Sequence, residues 1–226
     1  MHIAMVNGST RKNGATATIL KKMQQILEQY DDVHIQYYDL IDYEINYCTG
    51  CRVCYRTGTC SIQSDSIEEV SAEIKRADAI IMGSSTFESY VTGILKSFWD
   101  RGHFVVEQSL YNTYGFSVVT YEIGEGNKAR NAIDKFLLVS GGIRVGSLLK
   151  KLKFNEDPCA DEAFVRKIEK RARRLYAAVQ QKKRRTVFEF IFTKMVLIPL
   201  IWKPVFLKRR ADYNGILDIW TAKGIL

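Results

Sequence analysis

The sequence predicts an α/β fold: a doubly wound, five-stranded parallel sheet with a C-terminal helical extension. Short apolar runs alternate with longer runs whose apolar residues recur at three- and four-residue spacing. Polar loops, each containing glycine, leave the carboxyl ends of three strands. With 226 residues, 46% of them hydrophobic and 26% charged, the chain is long enough for one sizeable domain plus an extension.

Met1–Val6 reads as a short buried strand. Gly14–Gln29 reads as a helix, with Ile19, Met23, Ile26 and Leu27 on one face. Val33–Leu40 is a second strand, alternating and rich in aromatics. Tyr43–Ser64 is a long irregular insert that carries four of the five cysteines. Ser66–Arg76 is a helix capped by Ser64 or Asp65. Ala79–Met82 is a third, fully apolar strand running into Gly83-Ser84-Ser85. Helices follow at Thr92–Val106, Ala129–Val139 and Asp161–Gln181, with strands at Phe116–Thr120 and Ile143–Leu148. Such alternation implies a parallel sheet covered on both faces, with ligands at the strands' carboxyl ends. Asn7–Thr16, Ser84–Gly93 and Thr120–Asn127 leave those ends. Residues 1–181 form the main domain with its insert at 43–64, and residues 182–226 the extension.

Asn7-Gly8-Ser9-Thr10-Arg11-Lys12-Asn13-Gly14-Ala15-Thr16 follows a strand and opens a helix. Hydroxyls, loop amides and the helix N-terminus suit a phosphate, and Arg11 can add charge-assisted hydrogen bonds. The spacing matches neither the dinucleotide fingerprint nor the triphosphate loop. An ordinary polar turn between strand and helix remains the competing reading.

Gly8-Ser9-x-Arg11-x-x-Gly14-x-Thr16 resembles the phosphate loop of the NADPH-dependent FMN reductase family, which has the flavodoxin-like fold. Gly83-Ser84 through Thr92-Gly93-Ile94-Leu95-Lys96-Ser97-Phe98-Trp99-Asp100-Arg101 is similar to that family's segment after the third strand. The likeness spans Met1 to Phe154. It implies FMN held by Ser9, Thr10, Arg11, Asn13, Gly14, Ala15 and Thr16, and by Ser84, Ser85, Thr86, Phe87, Glu88 and Ser89. This chain has Ser85-Thr86-Phe87 where the family usually has Pro-x-Tyr, so backbone amides serve the ring there. Tyr121, Glu122 and Gly124, in the third loop, are further candidate contacts at the ring's edge. Lys96, Asp100 and Arg101 are read as helix capping and ion pairing.

Cys48-x2-Cys51-x2-Cys54-x5-Cys60 places four thiols within thirteen residues. Such a set can wrap one soft metal centre. The spacing suits a [4Fe-4S] cluster better than zinc, which more often uses two separated CxxC knuckles. Reduced cysteines without metal are the third reading. A compact insert of this kind after the second strand is similar to the iron–sulfur flavoproteins of anaerobic microbes. That resemblance implies a homodimer or tetramer that passes single electrons between cluster and FMN, often across a subunit contact. Arg52 and Arg56 would offset the cluster's charge, and Cys159 is read as a lone reduced thiol.

Hydrolase motifs and paired carboxylates are absent, and there are only three histidines, with His103 assigned to the surface. The flavin therefore carries the chemistry, with no catalytic side chain named. NAD(P)H is a candidate donor that would stack on an open flavin face, because no second domain is evident for it. A ferredoxin or small oxidant is a candidate partner. A cluster-free NAD(P)H-dependent FMN or quinone reductase, and a non-enzymatic electron carrier or regulatory module, are the alternatives.

The net charge of +8 is uneven: residues 1–149 carry −3 and residues 150–226 carry +11. The Arg166–Arg174 stretch is a solvated helix face. Lys182-Lys183-Arg184-Arg185 and Lys208-Arg209-Arg210 frame an apolar run, Val187–Leu207. Pro199, Pro204 and two lysines argue against a spanning helix, so residues 182–210 suit membrane-surface contact. Packing on a partner subunit or back on the domain ranks ahead of it. No basic leader with a cleavable apolar run opens the chain, which implies a cytoplasmic protein, peripheral at most. No nucleic-acid partner is expected.

Overall fold

The computed structural model describes residues 1–182, 186 and 191–226. Among these residues five parallel strands form the sheet: β1 (His2–Asn7), β2 (His34–Asp39), β3 (Ala79–Phe87), β5 (Tyr114–Tyr121) and β6 (Ile143–Lys151). A two-residue strand, β4 (Tyr90–Val91), folds back antiparallel on the end of β3. The parallel order is β2-β1-β3-β5-β6, the flavodoxin-like order, with its reversal between β1 and β3.

Strand alternation sorts the core. In β1, Ile3 and Met5 point to one face, where α1 (Ala15–Leu27) and α6 (Glu162–Gln180) cover them. Ala4 and Val6 point to the other, beneath α3 (Ile67–Lys75), α4 (Gly93–Arg101) and α5 (Gly126–Val139). Both faces are dry, which is why the strands read as near-continuous apolar runs.

The expected elements form at close to their expected bounds, with instructive departures. The third strand runs on to Phe87, so Ser84–Phe87 are strand and not loop. Glu88 and Ser89, both at positive φ, make the tight turn into β4. The helix expected to reach Val106 ends at Arg101, and His103 adopts a left-handed conformation after Gly102. Asp65, expected as a helix cap, is instead consumed by an ion pair, leaving a 3.4 Å contact to the Ile67 amide.

The insert contains one short helix, α2 (Val53–Thr57), opened by Arg52 at φ 60. The extension continues as a π-helical stretch, Ile191–Trp202, then α7 (Lys203–Lys208) and α8 (Arg210–Ala222). Residues 183–185 and 187–190, part of the framed run named above, lie outside the described residues. The described extension packs back on its own domain. Ile198, Phe206, Tyr213, Ile216, Leu217 and Trp220 form a third core, against which Tyr55 and Val106 pack. Trp220 donates its indole N–H to the Val106 carbonyl at 2.9 Å. Among the described residues no helix is long and apolar enough to cross a membrane.

Contact between α8 and the insert is backbone to backbone. A Cβ on Gly215 would lie 2.2 Å from the Gly58 nitrogen and 2.6 Å from the Thr57 carbonyl carbon. Neither atom belongs to a side chain that can swing aside. Gly215→Ala is therefore expected to destabilise the chain by about 1–3 kcal/mol, the usual range for overpacking. Urea denaturation of the full chain checks it, with an unchanged midpoint counting against this contact.

Candidate functional site

The cleft lies at the carboxyl edge of the sheet, where the strand order reverses. Gly8 permits it: a Cβ there would sit 2.8 Å from the Leu95 Cβ and 2.9 Å from the Gly83 carbonyl oxygen. The Thr92 hydroxyl donates to the Gly8 carbonyl, so the start of α4 is pinned to the loop after β1. The loop is ordered from within: the Ser9 amide donates to Asn7 Oδ1 at 3.1 Å, and the Arg11 amide to Ser9 Oγ at 3.3 Å. Asn7 in turn donates to Asp39 Oδ1 at 2.6 Å, which ties the loop to β2.

The resulting cleft measures about 740 Å³. Thr10, Arg11, Asn13, Gly14, Ala15, Ser85, Thr86, Phe87, Tyr121 and Glu122, all candidate contacts named above, line it. Ser9, Thr16 and Ser84 do not; all three are buried and serve the scaffold. Thr16 Oγ1 lies 2.7 Å from Thr120 Oγ1, and Ser84 Oγ accepts from the Thr92 amide at 3.2 Å. Glu88, Ser89 and Gly124 also fall outside the lining.

One wall was missed entirely: the segment from Leu152 to Pro158 after β6. Arg11 reaches across to it, donating to Asn155 Oδ1 at 2.8 Å and lying 4.8 Å over the Phe154 ring. Nothing in Lys153-Phe154-Asn155-Glu156 marks a binding residue in sequence; only the return of β6 beside β5 brings it there. The cleft suits FMN by its chemistry. The N-terminal end of α1 opens into it, and Thr86 Oγ1 is buried on its wall with no hydrogen-bond partner among the described residues.

The four cysteines sit elsewhere, at the far end of α4. Arg101, fully buried, is the anchor. It pairs with Asp65 through two contacts of 2.5 and 3.0 Å and donates to the carbonyls of Asn46 (2.8 Å) and Ile62 (3.1 Å). Burial alone would raise the Asp65 carboxyl. Hydrogen bonds from Arg101 and the Asn46 amide, with the guanidinium charge, outweigh it and hold the carboxyl below its ordinary value.

Burial, then the charges of Cys60, Cys48 and Cys51, push the Cys54 thiol up to about 11. The Ser61 hydroxyl, 3.1 Å from Cys51 Sγ, leads the effects that lower the Cys51 thiol. The Ile62 amide points at Cys60 Sγ from 3.5 Å. The Arg101 Nε–H, buried near Cys60, lacks a hydrogen-bond partner among the described residues. Cys48 and Cys51 are exposed and Cys54 and Cys60 half-buried, and four soft sulfur donors on one short insert are a set that fits a metal centre.

Arg52 lies beside the stacked pair Tyr55 and Tyr213, 5.3 and 5.4 Å from their ring centres, and donates to the Tyr213 hydroxyl at 2.6 Å. Arg56 falls in the last turn of α2. His103 departs from its surface assignment: it is buried, 3.4 Å from Glu107, with a ligand atom within 4.8 Å of those of Cys60 and Glu68. The early end of α4 swings it away from the flavin cleft. Lys96 and Asp100 pair with each other at 2.5 Å on the surface.

A model of the NADPH-dependent FMN reductase family matches residues 1–150. The chain belongs to this family. Its FMN-dependent oxidoreductases share the flavodoxin-like sheet found here. An iron–sulfur flavoprotein of Clostridioides difficile is 38% identical over 227 residues, covering 100% of both chains. One from Archaeoglobus fulgidus is 32% identical over 148 residues, covering 62% of this chain and 63% of its own. Among solved structures, an apo NADH:FMN oxidoreductase aligns with a TM-score of 0.62 at 15% identity, covering 78% of this chain and 89% of that one. An archaeal flavodoxin aligns at 0.54 and 17% identity, covering 80% and 99%. The two structures speak for the fold.

Arg101→Met strands the Asp65 carboxylate in a closed site, and a loss of about 3–5 kcal/mol is expected. The sign with pH follows from the lowered carboxyl. The pair's contribution is complete above about pH 4, the ordinary Asp value, and fades as pH falls through the lowered one. Urea midpoints of parent and variant measured from neutral pH downward should therefore converge in acid.

Proposed function

We propose that this chain is an FMN-dependent oxidoreductase that exchanges electrons between FMN in the cleft and a [4Fe-4S] cluster held by Cys48, Cys51, Cys54 and Cys60. The observation that carries it is the Cys48-x2-Cys51-x2-Cys54-x5-Cys60 set on an insert whose two flanks, at Asn46 and Ile62, are gathered by Arg101. When bound, the flavin supplies two-electron exchange and the cluster one-electron exchange.

The chain's own residues do the holding and tuning. Arg11, once released from Asn155, pairs with the phosphate together with the amides at the start of α1. Thr86 and the Ser85–Phe87 backbone face the ring, and Tyr121 and Glu122 border its edge. Arg101 and the Ile62 amide temper the negative charge at Cys60. NAD(P)H, stacking on an open flavin face, is the donor in this reading.

Cleft and cysteines sit at opposite ends of α4, a helix whose nine residues span roughly 12 Å. Within one chain an electron would have to travel that length. A homodimer or tetramer that sets one chain's insert against another's cleft shortens the path, and this arrangement belongs to the proposal. A ferredoxin or a small oxidant would complete the circuit.

Anaerobically purified protein is expected to carry about four iron and four sulfide per chain, with a broad visible shoulder that acid abolishes. Cys54→Ser should lose the iron while keeping FMN. Absence of iron, with a spectrum unaltered in Cys51→Ser, would defeat the cluster assignment. A second reading has its own observation, the Cys60, Glu68 and His103 set, which suits a single zinc ion. One zinc and no sulfide per chain would select it.

For the cleft, Arg11→Ala is expected to weaken FMN binding about ten- to a hundredfold, as befits a lost charged hydrogen bond. Riboflavin, which lacks the phosphate, should bind both proteins equally. Flavin fluorescence titration reads both affinities.

A further inference from the structure

The third core leaves the outer side of the extension with a distinctive surface. Leu197, Ile198 and Phe206 turn inward. Leu200, Ile201, Val205 and Leu207 turn outward and are 69%, 48%, 47% and 45% exposed. Four large aliphatics within eight residues are more than scattered surface apolarity. Lys203, Lys208, Arg209 and Arg210 stand in the same stretch, and of these Arg209 is paired with Asp212 at 2.8 Å. The charge around them is lopsided, since residues 150–226 carry +11 against −3 for the rest.

We propose that residues 198–210 dock on an anionic lipid bilayer, lying in its surface. The four aliphatics enter the boundary between headgroups and acyl chains, and the basic side chains meet lipid phosphates. Other occupants fit less well. A second copy seated by a two-fold contact would bring this basic patch against the same basic patch of its partner, so like charges would meet across it. An acidic protein would answer the charges but leave the outward aliphatics without a reason. A spanning element needs about 20 apolar residues, and Pro199, Lys203 and Pro204 interrupt this stretch. The surface lies apart from the cleft and the cysteines, so the proposal stands or falls independently of the flavin and cluster assignments.

Sedimentation of the full-length, FMN-loaded protein with vesicles tests it. The protein should pellet with phosphatidylglycerol/phosphatidylcholine vesicles, should not pellet with phosphatidylcholine alone, and should be released as salt rises and the Debye length shrinks. Leu200→Glu/Val205→Glu and Lys208→Glu/Arg210→Glu should each lower vesicle affinity at least tenfold. All four positions are exposed, and an unchanged flavin spectrum and melting temperature confirm the fold. If the aliphatic variant unfolds, the charge-reversal variant alone decides. Equal sedimentation with anionic and neutral vesicles, or none with either, overturns the proposal. So does a light-scattering mass that drops to the monomer in Leu200→Glu/Val205→Glu with no vesicle binding by the parent, which assigns the face to a second copy. Binding to an acidic protein that survives the aliphatic change but not the charge reversal, again without vesicle binding, assigns it to a protein partner.

Discussion

The buried pair of Arg101 and Asp65 is the interaction on which the arrangement of the cysteine centre depends. Enclosing two charges costs several kcal/mol for each ion, and attraction repays that only when the geometry is good and further hydrogen bonds satisfy most of the remaining groups. Here the guanidinium meets two carboxylate oxygens and two backbone carbonyls, those of Asn46 and Ile62. The carbonyls belong to the two flanks of the insert. One side chain on α4 therefore gathers both ends of a segment that has almost no regular structure of its own. The cysteines lie between those ends, on the segment that this closure holds.

A second constraint works from the opposite side. Helix α8 lies against α2 at backbone distance through Gly215 and Gly58, and Tyr213 extends the contact by stacking on Tyr55 and binding Arg52. The extension is thus part of the wall behind the cysteines. Its inward residues join Val106 and the turn region after α4, so the insert is clamped between the main domain and the chain's last helix. Lys208, Arg209 and Arg210 remain exposed, whereas Lys223 is half-buried, donates to the Gln108 carbonyl at 3.3 Å and has its pKa lowered by burial to about 8.

The cleft and the cysteine centre answer to different parts of the same helix. At its start, Thr92 holds the loop after β1; at its end, Arg101 holds the insert. A parallel sheet places ligand loops at the carboxyl edge of its strands, and a helix on its face must run back toward the other edge. The separation of the two sites is a consequence of that topology.

The sequence by itself determined the strands, the sheet's class and the ligand-bearing loops, because apolar periodicity and glycine placement are local signals. It also determined the four-thiol set, whose spacing is legible without coordinates, and most of the cleft wall from Thr10 to Ala15 and from Ser85 to Phe87. Only the tertiary structure decided the rest. Leu152–Pro158 joins the cleft because β6 returns beside β5, a pairing more than a hundred residues removed from the loop it faces. Ser9, Thr16 and Ser84 turned inward because Ser9 and Ser84 accept from the amides of Arg11 and Thr92 and Thr16 pairs with the Thr120 hydroxyl. His103 left the surface because Gly102 ends its helix, and Asp65 became an ion-pair partner because Arg101 lies beneath it. Each of these depends on which distant atoms become neighbours, and burial changes what a polar side chain must do once they are.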